Sequence, residues 1–242
     1  MEILSFARLP STNVYALELA VGGARPETVV WALEQSGGRG QYNRRFSSPA
    51  GGLYFSVILR PDLPPEKLPL VTLAAGVGCC LCLEQNCAVA PLLKWPNDLY
   101  VNGKKLGGIL TQSVPVVGRQ RPTVVVGVGI NVNSTPADFP NELLASVGTL
   151  AEVTRHEIDL KQLLEALVER IIHQVHILED NRDKLLAQWD RRDYLKNQSM
   201  QWSTGHSVIT GTGHGIQSDG RYSLVDASGS LHSILAGTIK PV

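Results

Sequence analysis

The segment at residues 123–132 (TVVVGVGINV) is apolar at nearly every position, and it constrains the fold more than any other part of the chain. A strand with one solvated face alternates apolar and polar residues, whereas a strand covered on both faces reads as a continuous apolar run. The sequence therefore predicts a central strand here. Asn131 interrupts the run with an amide, which needs partners if it is buried. It is either a structural pin or a ligand contact.

Other elements are predicted from local patterns. Short runs rich in β-branched and aromatic residues predict three more strands, at 28–33, 53–59 and 92–95. The Asn-Gly pair at 102–103 is typical of a hairpin turn and predicts that 99–101 pairs with 105–110. Apolar residues at helical spacing predict one helix over residues 65–85 and another that begins at Asp159.

The pattern changes after Asn197. Short alternating runs are separated there by turn glycines, at Gly205, Gly211, Gly213, Gly215, Gly220, Gly229 and Gly237. Turn signals at this spacing predict a small all-β barrel of about 45 residues. We therefore place a domain boundary so that residues 1–195 form one domain and residues 196–242 a second.

The charge balance limits the ligand classes. The chain of 242 residues has 22 Lys plus Arg and 22 Asp plus Glu, which argues against a general polyanion binder. A local basic site for one phosphate-bearing ligand remains compatible with this balance. Four cysteines at positions 79, 80, 82 and 87 lack metal-ligand spacing, and we interpret them as buried apolar residues in a reducing compartment.

No targeting signal is recognised in the sequence. The N-terminus lacks a basic segment followed by an apolar one, so no signal peptide is predicted. No run of about 18 apolar residues occurs, so no membrane span is predicted. We therefore expect a cytoplasmic protein without membrane contact.

The loop at residues 38–48 is unusually rich in arginine and glycine. Arg39 lies between Gly38 and Gly40, and Arg44 and Arg45 follow closely. Three interpretations are open: a solvated surface loop, a nucleic-acid-binding arm, or a clamp for an anionic ligand. A solvated loop accounts for the arginines, but it does not account for glycines on both sides of one of them.

Three further stretches carry polar groups in apolar surroundings. The tripeptide at 11–13 (Ser-Thr-Asn) is typical of a helix cap, and a cap can also present its side chains to a ligand. Asn97 and Asp98 follow a predicted strand, where they are either ordinary turn residues or a ligand contact. Lys105 enters the apolar run LGGIL, which is unusual for a solvated lysine.

In this order the stretches resemble those of the biotin protein ligases. The matching elements are STN at 11–13, Gln35 with GRG at 38–40, KWPND at 94–98, KKLGGIL at 104–110 and GVGINV at 127–132. The resemblance covers essentially the whole chain. Because STN lies close to the N-terminus, we expect a short form without the N-terminal DNA-binding domain of some relatives, and no nucleic-acid partner.

The resemblance implies a fold, a reaction and its partners. The fold is α+β: a catalytic domain like those of class II aminoacyl-tRNA synthetases, with a mixed sheet and helices, followed by an SH3-like β-barrel. The reaction activates biotin with ATP and Mg²⁺ to biotinyl-5′-AMP and diphosphate. Biotin is then transferred to a lysine of a biotin carboxyl carrier protein, an acetyl-CoA carboxylase subunit. The resemblance also allows a homodimer.

The resemblance also implies residue roles. The positions matching biotin contacts are Ser11, Thr12, Asn13, Gln35, Arg39, Gly40, Gln41 and Lys105. Arg39 and Lys105 are the expected catalytic residues among them. The positions expected at ATP or the adenylate are Gly38, Arg44, Phe46, Asn97 and Asn131, and Asp98 is the candidate metal ligand. The chain departs from many relatives at Gln41, where they have arginine, and at Phe46, where tryptophan is common.

Three alternatives stay open. A lipoate or octanoyl transferase would share the fold and modify a carrier lysine. A non-catalytic biotin-binding module is disfavoured because Arg39 and Lys105 are both retained. A nucleic-acid-binding regulator is disfavoured by the balanced charge.

Overall fold

A seven-stranded mixed sheet forms the larger part of the protein. The computed structural model describes residues 1–116, 121–203 and 207–242. The strands of this sheet are β1 (Glu2–Leu9), β2 (Thr28–Gln35), β3 (Leu53–Leu59), β4 (Leu92–Lys94), β5 (Asp98–Val101), β6 (Lys104–Val114) and β7 (Thr123–Ile130). Their order is β1-β2-β3-β7-β6-β5-β4, with β1 and β2 parallel and all other neighbours antiparallel. The prediction of a central apolar strand is confirmed, because β7 occupies the middle position.

Helices cover both faces of this sheet. They are α1 (Thr12–Val21), α2 (Pro69–Cys87), α3 (Leu150–Thr154), α4 (Leu160–His176) and α5 (Arg182–Asp190). Alternate residues of β7 belong to different cores. Val124 and Val126 pack in the core that includes α2 and α4, whereas Val125 packs with Ala16 and Ala20 of α1. Burial on both faces explains why the strand has almost no polar residue.

Most local predictions match the structure. The strand predicted at 53–59 is β3, and the predicted hairpin joins β5 to β6. Asn102 and Gly103 in its turn have φ values of 50° and 76°, which is the left-handed geometry that an Asn-Gly hairpin turn requires. Asp159 caps α4 by accepting hydrogen bonds from the N–H groups of Lys161 and Gln162. Three elements, β1, α3 and the separate helix α5, were not predicted from the sequence.

The predicted helix over 65–85 is a short 3-10 turn followed by α2, which extends to Cys87. Within the described residues this is the one helix long and apolar enough to cross a membrane by length and composition, but 67% of its most apolar window is buried inside the protein. A core helix accounts for that composition. Cys79, Cys80 and Cys82 are buried and Cys87 is half-buried, and burial raises the pKa of the Cys80 thiol to about 12.

The C-terminal part forms a separate antiparallel sheet of five strands, as expected for a small SH3-like barrel. The strands are β8 (Ser199–Ser203), β9 (Val208–Ile216), β10 (Tyr222–Asp226), β11 (Leu231–Ile234) and β12 (Thr238–Pro241). Their order is β11-β10-β9-β8-β12. The turn predicted at Gly205 lies outside the described residues. The boundary between 195 and 196 stays a prediction, and β8 begins three residues beyond it.

Aromatic packing attaches the second sheet to the first. Tyr222 of β10 is fully buried, and its ring centre lies 6.0 Å from that of Trp95 and 6.4 Å from that of Trp189. The Trp95 indole Nε1–H donates a hydrogen bond to the Gly220 carbonyl at 3.0 Å. The Tyr222 hydroxyl donates to Asp193 Oδ2 at 2.8 Å. Trp95 belongs to the KWPND stretch, so the second sheet is held directly beside that stretch.

A pH dependence of stability is expected from Asp193. Burial raises the pKa of this carboxyl to about 6, although Tyr222 and the Leu195 N–H donate to it. The pKa in the unfolded chain is about 3.9, so the folded protein binds this proton more tightly. The resulting stability is fully present below about pH 4 and is lost as the pH rises through about 6. We expect the free energy of unfolding to fall by about 1–3 kcal/mol across this range.

Urea unfolding at a series of pH values measures this effect. The comparison is between the wild type and Asp193→Asn, which keeps an acceptor for the Leu195 N–H but does not titrate. The variant is expected to lack this part of the pH dependence. Identical pH slopes between pH 4 and 7 in the two proteins would contradict the assignment.

Candidate active site

A cavity of about 300 Å³ lies beside the N-terminus of α1, and the glycines of β7 form part of its floor. A Cβ at Gly127 would lie 2.5 Å from Asn13 Oδ1, and one at Gly129 would lie 2.6 Å from the Phe46 ring. Both distances are too short for a side chain. The two glycines that interrupt the apolar strand therefore leave room for Asn13 and Phe46.

The start of α1 supplies neutral polar groups to the cavity. The hydroxyl of Ser11 accepts a hydrogen bond from the Val14 N–H at 3.5 Å, so this residue caps the helix and lines the cavity at once. Ser11, Thr12 and Asn13 are each at most 5% exposed. The Ser56 hydroxyl of β3 lies 2.9 Å from Thr12 Oγ1 and 3.2 Å from Asn13 Oδ1. The cap and the ligand-contact interpretations of this tripeptide are thus compatible.

Gln35 connects this polar group to the arginine-glycine loop. Its Oε1 accepts from the backbone N–H of Thr12 at 2.8 Å, and its Nε2 donates to Ser48 Oγ at 2.9 Å. Gly38, the first residue of the loop, does not line the cavity. A Cβ at this position would lie 2.5 Å from both the Phe46 carbonyl oxygen and Ser48 Oγ. Gly38 therefore permits the close packing of the loop, and its predicted nucleotide contact stays a prediction.

The loop folds back on itself as a short β-bridge. Arg39 and Arg45 pair across it, and the Gly40 N–H donates to the Arg44 carbonyl at 2.8 Å. The predicted residues Arg39, Gly40, Gln41 and Arg44 all line the cavity. Backbone pairing at the base of the loop therefore directs one arginine-rich segment over the cavity.

The same loop contacts the C-terminal sheet. The Arg44 guanidinium donates to Thr238 Oγ1 at 2.8 Å, and the Gly237 N–H donates to the Tyr42 hydroxyl at 3.0 Å. Residues 237–240 line the cavity together with residues of the larger sheet. The C-terminal sheet is therefore a wall of the site, which the sequence analysis did not predict.

Lys105 and Asp98 form an ion pair inside the cavity. Lys105 Nζ lies 2.6 Å from Asp98 Oδ1, and the two side chains are 33% and 21% exposed. The ammonium is 6.0 Å from the centre of the Phe46 ring. Asn97 is fixed to β6 because its Nδ2 donates to the Ile109 carbonyl at 2.8 Å and its own carbonyl accepts from the Ile109 N–H. The turn after β4 and the strand β6 thus hold these groups together.

Asn131 does not line the cavity. It follows the end of β7, is 3% exposed, and donates from Nδ2 to the Gly148 carbonyl at 3.2 Å and the Lys105 carbonyl at 3.5 Å. The structure therefore favours a structural role for Asn131, because its amide holds the backbone of Lys105 by a hydrogen bond. A direct contact with the nucleotide stays a prediction.

The cavity is strongly positive although the whole chain is neutral. Its basic lining residues are Arg39, Arg44, Arg45, Lys94, Lys105 and Lys240. Asp98 is the one acidic residue among the described residues that line it. Sequence reasoning assigned no role to Lys94 or Lys240. Lys94 is in the KWPND motif, which was a usable signal, whereas no local signal identifies Lys240.

Comparison with known proteins agrees with this arrangement. The profile of the Biotin/lipoate A/B protein ligase family matches residues 5–131. The "Bifunctional ligase/repressor BirA" of Bacillus subtilis (strain 168) is 40% identical over 66% of this chain, and the match spans about half, 49%, of that relative. The biotin--[acetyl-CoA-carboxylase] ligase of Mycobacterium tuberculosis (strain H37Rv) is 31% identical over 96% of this chain and 86% of the relative.

A solved structure extends the comparison to the whole fold. The biotin protein ligase from Aquifex aeolicus, in complex with biotin and ATP, is 25% identical and superposes with a TM-score of 0.86. The superposition covers 100% of this chain and 99% of the other. On the sequence profile, the relatives and the fold, this chain belongs to the biotin/lipoate A/B protein ligase family.

Proposed function

We propose that the protein is a biotin ligase that activates biotin with ATP and transfers it to a carrier protein. In the first step the biotin carboxylate attacks the α-phosphate of ATP and forms biotinyl-5′-AMP and diphosphate. In the second step the ε-amine of a carrier lysine attacks the mixed anhydride and releases AMP. The names of the Mycobacterium and Aquifex relatives, and the biotin and ATP in the latter structure, support this choice within the family.

The observation that carries the proposal is the division of the cavity into two chemically different ends. Neutral, almost fully buried side chains lie at the start of α1, and the cationic side chains come from the arginine-glycine loop, β4, β6 and β12. Biotin has an uncharged ureido head that needs hydrogen-bond donors and acceptors, and its other end is a carboxylate. ATP adds a polyanion that must approach that carboxylate. The neutral end of the cavity suits the ureido head of biotin, and the cationic end suits the biotin carboxylate and the phosphates of ATP.

Roles follow from this division. Ser11, Thr12, Asn13 and Gln35 would bind the ureido head, with Gly40 and Gln41 of the loop above it. Arg39 and Lys105 would neutralise the two anions that meet in the first step, which depends on positioning and charge stabilisation rather than on a protein nucleophile. The remaining cavity residues proposed at the nucleotide are Arg44, Phe46 and Asn97. A loop closed over the site would also keep water from the anhydride.

Mg²⁺ is the metal expected with ATP. The described residues contain no cluster of three or more His, Cys, Asp or Glu side chains that could hold a metal by themselves. Mg²⁺ bound with nucleotides takes one or two protein carboxylates, with phosphate oxygens and water completing its shell. Asp98 supplies one carboxylate to the cavity. One carboxylate is enough for a Mg²⁺ ion that is also bound by phosphate oxygens and water, so the cavity fits such a metal. We propose Asp98 as the protein ligand, and Mg²⁺ would shield the negative charge of the phosphates.

The partner would be a biotin carboxyl carrier protein, which presents the acceptor lysine. Homodimer formation and a cytoplasmic location stay predictions, as does the absence of nucleic-acid and membrane contacts. The nearest competing function is a lipoate or octanoyl transferase, because the family includes lipoate ligases. Lipoate and octanoate lack the ureido group, so they could not make the hydrogen bonds that the polar groups at the start of α1 offer to biotin.

Biotin-dependent exchange of label between ATP and pyrophosphate tests the proposal. We expect exchange with biotin and none with lipoate or octanoate. Arg39→Ala is expected to reduce the exchange rate at least tenfold, because it removes a cation from the cavity. Mass spectrometry of a carrier domain incubated with ATP and each acid measures the transfer. Exchange supported only by lipoate or octanoate, or full activity of Arg39→Ala, would contradict the corresponding assignment.

A further inference from the structure

Two lysines that the proposed mechanism does not use face the cavity from different sheets. Lys94 ends β4, and Lys240 lies on β12 of the C-terminal sheet. Within the described part of the chain, neither side chain has an ion-pair or hydrogen-bond partner. The Lys94 ammonium lies over the face of the Tyr100 ring, 5.3 Å from its centre. Lys105, in contrast, is paired with Asp98.

The lysines are close enough to influence one another. Burial lowers the pKa of Lys94, the charges of Lys105 and Lys240 lower it further, and Asp98 opposes the shift. Three ammonium groups therefore share one carboxylate. Such a cluster lacks negative charge, and a ligand that carries several negative charges would supply it.

The strand order places this cluster relative to the rest of the site. The neutral end of the cavity lies over β3 and β7, where Ser56 and Gly127 contact the start of α1. Lys105 is on β6, the next strand, and Lys94 is on β4 at the sheet edge. Adjacent strands are about 4.8 Å apart, so Lys94 lies about two strands beyond Lys105, away from the neutral end. Lys240 approaches the same region from β12.

We propose that Lys94 and Lys240 bind the β- and γ-phosphates of ATP and stabilise the pyrophosphate leaving group. This assignment rests on the proposed function, in which the biotin carboxylate and the α-phosphate meet at Lys105. A carboxylate oxygen bonds to the α-phosphorus while the bond from that phosphorus to the oxygen bridging to the β-phosphate breaks. The bonding pair moves to pyrophosphate, and the two lysines compensate the negative charge that develops there.

The second step, transfer of biotin from the adenylate to the carrier, involves different charged groups. The carrier amine attacks the carbonyl carbon of the anhydride, the bond between that carbon and the AMP oxygen breaks, and the amine proton is lost to solvent. No pyrophosphate takes part. The two lysines should therefore matter far more for forming the adenylate than for using it.

The test compares the two half-reactions in Lys94→Met, Lys240→Met and the double variant. Methionine keeps most of the side-chain length and removes the charge. We expect biotin-dependent ATP–pyrophosphate exchange to fall about 10-fold in each single variant and about 100-fold in the double variant, with a raised KM for pyrophosphate. Transfer from chemically prepared biotinyl-5′-AMP to a carrier domain should fall at least tenfold less than exchange does. Lys94→Arg and Lys240→Arg should recover much of the exchange.

Lys161→Met on the exposed side of α4 is the matched control, because it removes one surface ammonium from a helix that does not line the cavity. Equal losses in both half-reactions, or exchange like that of the control in the double variant, would overturn the assignment of the lysines. Thermal unfolding of each variant identifies a loss of exchange that is caused by misfolding. For such a variant the arginine substitution is the test, because it keeps the positive charge and should recover exchange. Absence of exchange in the wild type would instead overturn the proposed function itself.

Discussion

Lys105→Met is expected to reduce biotin-dependent ATP–pyrophosphate exchange about 10²- to 10³-fold, the range found when one charge-stabilising donor is removed from an active site. The substitution removes the ammonium that lies 2.6 Å from Asp98 Oδ1. It also leaves the Asp98 carboxylate, the proposed Mg²⁺ ligand, without the ammonium that holds it in position. Both changes act against the first step. Initial rates of exchange at varied biotin and ATP concentrations measure the effect.

The double variant Lys105→Met with Asp98→Asn separates the two contributions. It also removes the carboxylate proposed to bind Mg²⁺, so it should lose exchange beyond the loss in Lys105→Met, whereas a partial recovery would contradict Asp98 as the metal ligand. Lys104→Met is the matched control, since this neighbouring lysine pairs instead with Glu152, at 3.7 Å, and does not line the cavity. A change of less than about threefold is expected for Lys104→Met. If Lys105→Met behaved like Lys104→Met, Lys105 would have no role in the reaction.

Trp95→Ala is expected to lower the free energy of unfolding by about 3–5 kcal/mol, as for other large buried side chains. Trp95 is 6% exposed and packs against Tyr222, and its indole N–H donates to the Gly220 carbonyl. The substitution would leave a cavity where the two sheets meet and an acceptor without its donor. Urea unfolding followed by circular dichroism measures the loss.

Leu92→Ala provides the comparison for Trp95→Ala. Leu92 lies on the adjacent strand β4 but is 41% exposed, so we expect a loss of about 1 kcal/mol or less. Trp95→Ala should also weaken substrate binding, because Gly237, Thr238 and Lys240 would lose their fixed position beside the cavity. A loss of stability no larger than that of Leu92→Ala would show that Trp95 does not hold the sheets together.

Local sequence patterns predicted the elements whose residues satisfy a strong local rule. The strand β3 was predicted with its observed bounds, because all seven of its residues are buried. The β5–β6 hairpin followed from one Asn-Gly turn. β1 was missed because it is an edge strand with mixed exposure, paired on one side only, with β2. Its parallel pairing depends on the path of the chain through α1, which no local pattern encodes.

The residues of the candidate site also fall into two groups, those whose position in the cavity was predicted from the sequence and those whose position was not. Motif resemblance identified the polar residues of α1, the arginine-glycine loop and Lys105, and all but two of the assigned residues line one cavity. The exceptions, Gly38 and Asn131, lie behind that lining and support it. Their sequence context resembled that of a ligand contact, but the direction of a side chain depends on packing from distant segments.

The sequence by itself determined the types of element, the neutral and cationic groups available for the site, and the family to which they belong. Propensity, periodicity and turn chemistry act over a few residues, so the sequence displays them directly. The tertiary structure decided that the C-terminal sheet is a wall of the site. Arg44 meets Thr238 across 194 residues, and Lys240 joins Lys94 and Lys105 at the cavity, because burial of Tyr222 against Trp95 and Trp189 fixes one sheet beside the other.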